Sequence, residues 1–460
     1  GFPWKTKNSE EKEAKAQSEA IKVDIDQLTG TAPFLFEIGC EELPVGDLKS
    51  ALTQLNERIP ALLDELRLAH ADVQVFGTPR RLVVSVDGLG LRQADLVQIV
   101  KGPPADRAFN PDGTPTKAAE GFARGKGVEV SELKISEIDG GRYVTVQVQQ
   151  IGRAAIQVLA EALPAVIANL KFDKSMRWNE SNVAFSRPIR WLLAMLGDQL
   201  IPFQYAGLAS SLQTRGLRFL EPEIVSVEQS AGYFKVLQKQ NILIDPDKRR
   251  TEIEQQVKTK IRELGGAESK LDEELLDEVT MMVESPTAFV GSFEEEYLAL
   301  PPEVLISVMK KHQRYFPVFD LNNNLMKFFI GVRNGDQQHL DQVVDGNEQV
   351  VRARFADAAF FIREDLKSNL AEIRQSLSGL TFQFKLGTML AKTERIEKVL
   401  PNLIKFFNLT EMESRVTRRA AHLCKADLMT HMVIEMTSLQ GVMGRFYAVK
   451  SGESEEVAKA

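Results

Sequence analysis

Apolar residues recur at helical spacing at Leu48, Leu52, Leu55, Ile59, Leu62, Leu63 and Leu66, just after the short apolar run FLFEIG that begins at Phe34. The run predicts a strand, and the stripe predicts an amphipathic helix behind it. Val73 to Val86 alternates on either side of a Gly-Thr-Pro break, the pattern of two strands joined by a turn. Thr114-Pro115 offers an N-cap and a first-turn proline to a helix ending near Gly125 and Gly127. Tyr143 to Val148 alternates as a strand, and Ala154 to Leu170 carries the apolar stripe of a long helix. This mixture over 34–220 predicts an α+β fold.

From Ser230 to Val283 helical patterns dominate. Pro301-Pro302 opens a helix over EVLISVMKKHQRYF, followed by a hairpin: PVFDL, the turn Asn322-Asn323-Asn324, then LMKFFIGV. Past Val332 no strand signal remains, and 346–460 reads as five or six helices. The expected organisation is a linker over 1–32, an α+β region over 33–335 and an all-α domain over 336–460. No internal repeat is present.

Residues 5–27 mix acids and bases without an apolar stripe, which is linker composition rather than a signal or transit peptide. At 43% hydrophobic and 26% charged, the 460 residues can fill several separate cores, and no window approaches a membrane span, so a soluble protein is expected. Cys40 and Cys424 lie too far apart in sequence to suggest a staple, which favours a reducing compartment. Net charge is −7, and its distribution is uneven: 221–303 holds 9 bases against 19 acids, whereas 304–460 holds 22 against 18. A polyanionic partner is therefore excluded from the acidic segment and remains open elsewhere.

No P-loop, G-x-G-x-x-G, H-E-x-x-H or G-x-S-x-G occurs, so no nucleotide, zinc or acyl-transfer site is indicated. The candidate chemistry is cationic. Thr78-Pro79-Arg80-Arg81 sets two guanidinium groups beside a strand break, suited either to phosphate contact or to bracing a turn against a carboxylate. Arg187-Pro188-Ile189-Arg190-Trp191 and Met176-Arg177-Trp178 interleave arginine with tryptophan, for stacking on nucleic acid or for cation–π bracing of a core edge. Arg215 and Arg218 extend a stretch, 171–219, with seven bases against three acids. In the helical half, Lys310, Lys311 and His312 suit the negative end of a helix dipole. Arg352 and Arg354 are two apart and cannot share one helix face, while Arg354 and Asp357 can pair. Arg418 and Arg419 add two more cations. Gly441 and Gly444 would let their helix pack closely on the segment AAHLCKAD at Ala420 to Asp427.

Taken in order, FLFEIGCEELP, TPRRL, KGPP, TKAAEGFARG, MRW, FSRPIRW, TRGLRF, LPPEVLISVMKKHQRYFPV, GNEQVVRARFADAAFF, FQFKLGT, KADLMTHMV and LQGVMG resemble the beta subunit of the bacterial-type glycyl-tRNA synthetase from about Phe34 to Ala460. Gly1-Phe2-Pro3 is similar to the closing words of that family's alpha subunit. The resemblance implies a plant organellar enzyme, of chloroplast or mitochondrion, in which alpha and beta are fused through the charged linker. An unfused form would belong to a bacterial-type cytoplasm. It implies editing-like modules similar to those of the phenylalanyl-tRNA synthetase beta subunit, then an incomplete domain similar to the HD phosphohydrolases, with the chain stopping before the family's anticodon-binding region.

The implied function is the beta portion of a glycine–tRNA ligase, which binds tRNA(Gly) and holds the catalytic alpha part, the expected partners being that part in the same chain and a second copy in a dimer. ATP and magnesium belong to the alpha part, leaving no cofactor, catalytic residue or metal ligand here. The tRNA candidates are Arg80, Arg81, Arg187, Arg190, Arg215, Arg218, Arg352, Arg354, Arg418 and Arg419. Two other activities compete: an aminoacyl-tRNA editing deacylase and an HD-type metal phosphohydrolase. Glycine, the smallest amino acid, gives little need for editing, since a pocket that fits it excludes larger side chains by clash. The HD reading meets Lys425-Ala426-Asp427 where a metal-binding His-Asp pair is expected, and a protonated lysine repels a cation. Cys40 is expected to pack rather than react.

Overall fold

A computed structural model describes residues 28–460 apart from 111–112, 139, 219–223 and 268–270. The linker and the Gly1-Phe2-Pro3 words lie outside the described residues. The chain divides into two compact units, Gly1–Pro246 and Asp247–Ala460.

In the first unit, β1 (Thr31–Cys40) leads into α1 (Val45–Glu65), and the hairpin strands β2 (Val73–Thr78) and β3 (Arg81–Gly90) follow. Further on come β4 (Leu96–Pro104), α2 (Lys117–Lys126), β5 (Lys134–Ile138), β6 (Gly141–Gln150), α3 (Ala155–Asn169) and β7 (Ile189–Leu196). The short strands β8 (Gln199–Leu200), β9 (Gln204–Tyr205), β10 (Leu208–Ser211), β11 (Gln213–Arg215) and β12 (Ile224–Ser226) and the helix α4 (Tyr233–Lys239) complete it. The main sheet runs β2-β3-β1-β7-β10-β9, with β8 paired to β7. β1 lies at its centre, antiparallel to both β3 and β7.

The centre of this sheet is covered on both faces, and its strands are accordingly almost continuously apolar. Leu35, Val83, Leu193 and Met195 join Tyr233, Leu237, Ile242 and Ile244 in one cluster. α1 buries Leu48, Leu55, Ile59 and Leu63 of the predicted stripe together with Ala51, leaves Leu52, Leu62 and Leu66 half-buried, and lies against β2 and β3. β4, β6 and β5 form a separate antiparallel sheet, which shares a small core with α2 through Ala119 and Val144. The N-cap of α2 is Thr116, two residues beyond the predicted Thr114: its hydroxyl accepts from the Ala118 amide at 3.2 Å, while Pro115 bridges to Phe109.

The second unit takes its helices from the acidic segment and everything after it. α5 (Pro246–Glu263) and α6 (Glu273–Thr280) precede β13 (Pro286–Ser292). The helix α7 (Pro302–Ser307), with Pro302 at its first turn, continues as a π-helical turn to His312 and delivers the hairpin β14 (Phe316–Phe319) and β15 (Leu325–Asn334). The sheet order is β13-β15-β14. Alternate side chains feed two cores: Ala288, Phe316, Val318 and Ile330 pack on α5 and α6, whereas Phe289 and Phe329 face α7 and α8 (Leu340–Asp365). Two glycines make the Phe side possible. Gly291 and Gly331 stand opposite Phe329 and Phe289 in the ladder, and a Cβ on either would fall inside the facing ring.

The rest is helical, with α9 (Met389–Phe406), α10 (Glu411–Leu423), α11 (His431–Glu435), α12 (Val442–Lys450) and α13 (Glu455–Lys459) as its main elements. It is not wholly α, as the sequence suggested. A two-stranded hairpin, β16 (Thr381–Gln383) with β17 (Gly387–Thr388), stands just before α9. Its strands are too short to show a period. The change from mixed to helical texture near residue 335 falls inside the second compact unit, because the sheet there shares its core with α8. Among the described residues no helix is long and apolar enough to cross a membrane.

Candidate functional site

Four separated sequence motifs meet at one end of the main sheet of the first unit. β1 ends in Gly39-Cys40-Glu41-Glu42, and register pairs Gly39 with Arg81 on one side and with Trp191 on the other. The Cys40 amide donates to Arg80 O at 2.8 Å, the Glu41 amide to Pro188 O at 2.9 Å and the Leu43 amide to Pro79 O at 2.7 Å. Main chain thus ties the opening motif to both arginine motifs. Gly39 is required here because the Trp191 ring lies where its Cβ would stand.

Trp191 is the hub. The guanidinium carbons of Arg80, Arg81 and Arg215 lie 5.7, 5.7 and 5.3 Å from its ring centroid, inside cation–π range. Arg81 has no exposed surface; it donates to Arg215 O at 2.9 Å and stands 3.4 Å from the equally buried carboxylate of Glu37. Thr214 donates its hydroxyl to Glu37 at 2.9 Å. Burial pushes the Glu37 carboxyl up, opposed by Arg81, by the Thr214 hydrogen bond and by the nearby polar groups of Trp191 and Tyr233. Burial pulls the Arg215 guanidinium down, reinforced by Arg190 and Arg80 and opposed by Glu41. Arg80 is also buried, reaching toward Gly216 O.

The bracing reading therefore describes Arg80, Arg81 and Trp191, and the surface is left to others. Arg190 and Arg218 are about half exposed, facing Glu41 at 3.4 and 3.6 Å, with Glu42 3.5 Å from Arg218. Arg187 is half-buried and donates to Ser186 O at 2.9 Å. The other tryptophan motif, Met176-Arg177-Trp178, lies on a separate loop, where Arg177 donates to Asn182 O at 3.1 Å. Sequence reasoning missed Glu37, Thr214 and Tyr233. A lone carboxylate inside the apolar run FLFEIG was the available signal, since a strand charge so placed needs a partner.

In the second unit the arginines stay apart. Arg352 is held by Glu294, and Arg419 by both carboxylate oxygens of Glu453 at 3.0 and 3.1 Å from its Nε. Arg354 and Arg418 are exposed. Arg354 and Asp357 line a small void with His312 and Glu435. The acids of 221–303 are partly spent locally, on Arg250, Lys258, Lys310 and Arg314.

The histidines on either side of Lys425 do not converge. His422, near the end of α10, meets Glu397 at 2.8 Å, while His431, at the start of α11, meets Asp365 at 2.8 Å. They sit on different helices. Lys425 takes a left-handed backbone after α10, and Asp427 turns inward to accept the Gly441 amide, with Gly444 packed against its carboxylate. Lys425, Asp427, Cys424 and Arg445 contribute to the lining of an open cleft of about 890 Å³. Among the described residues no group of three or more His, Cys, Asp or Glu could hold a metal ion. The donor set does not suit an HD-type metal centre.

One unit carries a braced arginine–tryptophan centre on a mixed sheet and the other combines a small sheet with helices, which defines a multidomain protein of mixed α and β structure. Residues 34–460 match the family model described as "Glycyl-tRNA synthetase beta subunit". The chain belongs to that family. It is similar to the glycine–tRNA ligase beta subunits of Moorella thermoacetica, 46% identical over 425 residues, and Desulforamulus reducens, 45% identical over 427 residues. The match covers 92 and 93% of this chain and 61% of each relative. The Acaryochloris marina subunit is 43% identical over 434 residues, again with 61% of its length covered. The chain spans about three fifths of the curated relatives it matches.

Proposed function

We propose that this chain is the tRNA-docking, noncatalytic beta portion of a glycine–tRNA ligase, supporting the ATP-dependent attachment of glycine to tRNA(Gly) by a separate catalytic alpha part. The observation that carries the reading is the collinear family match over residues 34–460. The cationic chemistry supports it, because an RNA backbone is held mainly through phosphates and 2′-hydroxyls and needs spread arginines more than a sequence motif. Arg190 and Arg218 in the first unit and Arg354 and Arg418 in the second are exposed, Arg187 and Arg215 are half-buried, and Arg352 and Arg419 are partly exposed but engaged by Glu294 and Glu453. Arg80 and Arg81 then act from beneath, by fixing Trp191 and the backbone of the Arg215 strand.

The proposal extends to the similarity of the two regions to phenylalanyl-tRNA synthetase beta modules and to HD domains. It extends also to an organellar, fused form acting as a dimer. That last part rests on the similarity of Gly1-Phe2-Pro3 to the end of an alpha subunit, and sequencing the transcript upstream of the Gly1 codon tests it.

Isotope exchange between pyrophosphate and ATP tests the division of labour. The purified chain is expected to give no glycine-dependent exchange, and to raise tRNA(Gly) glycylation when mixed with an alpha subunit that is poorly active alone. Exchange by the chain itself, well above a blank, would overturn the reading.

A further inference from the structure

The hairpin β16–β17 presents apolar side chains to solvent from a backbone that is held in place. Phe384, at its tip, is 94% exposed, and Leu386 is 51% exposed. Single exposed apolar residues are ordinary, but an almost fully exposed aromatic ring on a fixed turn is not. The turn is fixed from both sides. The Gln383 side-chain oxygen accepts the amides of Lys385 at 2.7 Å and Leu386 at 3.0 Å, and Gly387 supplies the left-handed backbone, φ 81°, that closes the turn. From α9, Arg395 donates to Leu386 O at 2.9 Å, and the Lys392 ammonium stands 3.9 Å from the Phe382 ring centroid. Thr388 ends the hairpin and caps α9 by accepting the Ala391 amide at 3.2 Å.

Charge identifies the occupant. No acid lies between Glu372 and Glu394, whereas Lys385 and Lys392 do, and Arg395 follows; Arg374, also in this stretch, is buried and held by Glu397 at 3.1 Å. An aromatic ring flanked by cations and free of carboxylates is the combination that holds nucleic acid where a base is unstacked: the ring takes the base face, and the ammonium groups take the phosphates on either side. A protein partner with an apolar surface would not need the missing acids.

We infer that the Thr381–Thr388 hairpin is an RNA contact in which Phe384 stacks on an exposed nucleobase face while Lys385 contacts the adjoining phosphate. The inference rests on the tRNA-docking reading above and adds to it a stacking site outside the arginine set.

The test is a titration of a tRNA(Gly) transcript onto the chain and onto Phe384→Ala, Phe384→Leu, Phe384→Trp and Lys385→Gln variants, at several salt concentrations. Circular dichroism provides the folding control. Removal of one base–aromatic stack is expected to weaken binding about 5- to 150-fold in the Ala variant. The salt slope should be unchanged there, since stacking releases no counterions, and Trp should restore affinity where Leu does not. Lys385→Gln should instead flatten the slope by about one unit. Wild-type affinity in the Ala variant would overturn the inference and leave the docking reading standing. Rescue by Leu as complete as by Trp would also overturn it, and would point to an apolar protein contact. A wild-type chain that does not bind the transcript would overturn both.

Discussion

Arg81 and Glu37 face each other with no exposed surface on either, and the consequence shows in how stability responds to pH. Burial raises the Glu37 carboxyl, and Arg81 is the strongest opposing influence. A carboxyl raised in the folded state favours folding below its unfolded pKa, and that contribution is lost as pH climbs through the folded value. Arg81→Met removes the cation and raises the carboxyl further, so the variant should lose ground against wild type as pH rises from about 4.5 toward 7. At neutral pH a cost of roughly 3–5 kcal/mol is expected for an orphaned buried charge. Trp178 and Trp191, the tryptophans among the described residues, both belong to this unit, so urea unfolding followed by tryptophan fluorescence at both pH values reports on it. A pH-independent difference would contradict the pairing.

The arginines themselves were visible as a composition anomaly. Which of them faced inward was not, because burial depends on four chain segments meeting at Gly39, and no local spacing encodes that meeting. Glu37 could have been read from its apolar neighbours; Thr214 and Tyr233 had nothing to mark them.

At the scale of elements, the start of α11 is held by the Asp365 carboxylate beside its cap, Thr430, whose hydroxyl accepts the Val433 amide at 3.3 Å. Asp365, at the end of α8, accepts the His431 amide at 2.7 Å, the Met432 amide at 3.1 Å and the Tyr447 hydroxyl at 2.7 Å. Burial, and then that hydrogen bond and the charge of Asp365, push the Tyr447 phenol far above its ordinary range. Asp365→Ala leaves the two amides and the phenol without this acceptor, each worth on the order of 1–3 kcal/mol when buried, and also removes the His431 ring contact. Hydrogen exchange at the His431 and Met432 amides should accelerate by at least about tenfold, the effect of roughly 1.4 kcal/mol, while exchange in β13 and β15 stays close to wild type. Unchanged exchange at His431 would show that the helix start is held elsewhere.

Elements with a long period were legible: α1, the β2–β3 hairpin, α3 and the β14–β15 hairpin appear where the pattern put them. Shorter features escaped. The strands β16 and β17 hold three and two residues, below the length at which alternation can be recognised. The break at Lys425, which puts His422 and His431 on different helices, is a left-handed residue that is not glycine and has no sequence signature.

At the scale of the whole molecule, charge is sorted rather than uniform. The acidic stretch 221–303 forms α5 and α6, where Asp272 is held by Lys310 and Glu278 by Arg314, so part of its excess is answered internally. The hydrogen bond from Lys310 holds the Asp272 carboxyl below its usual range. A polyanion is repelled from what remains of that excess. The exposed arginines of each unit are then the surfaces on which tRNA docking stands or falls, and counterion release measures them directly.

The decisive measurement is the salt dependence of tRNA(Gly) binding by the wild-type chain, the Arg190→Ala/Arg218→Ala double variant, Arg418→Ala and Arg419→Ala. Each phosphate that a substitution leaves without its cation should flatten the slope of log K against log salt by about 0.7–0.9. The account predicts a flattening of nearly twice that for the double variant, about that for Arg418→Ala, and less for Arg419→Ala, whose guanidinium is engaged by Glu453. A slope as steep in every variant as in wild type, with binding intact, would contradict it.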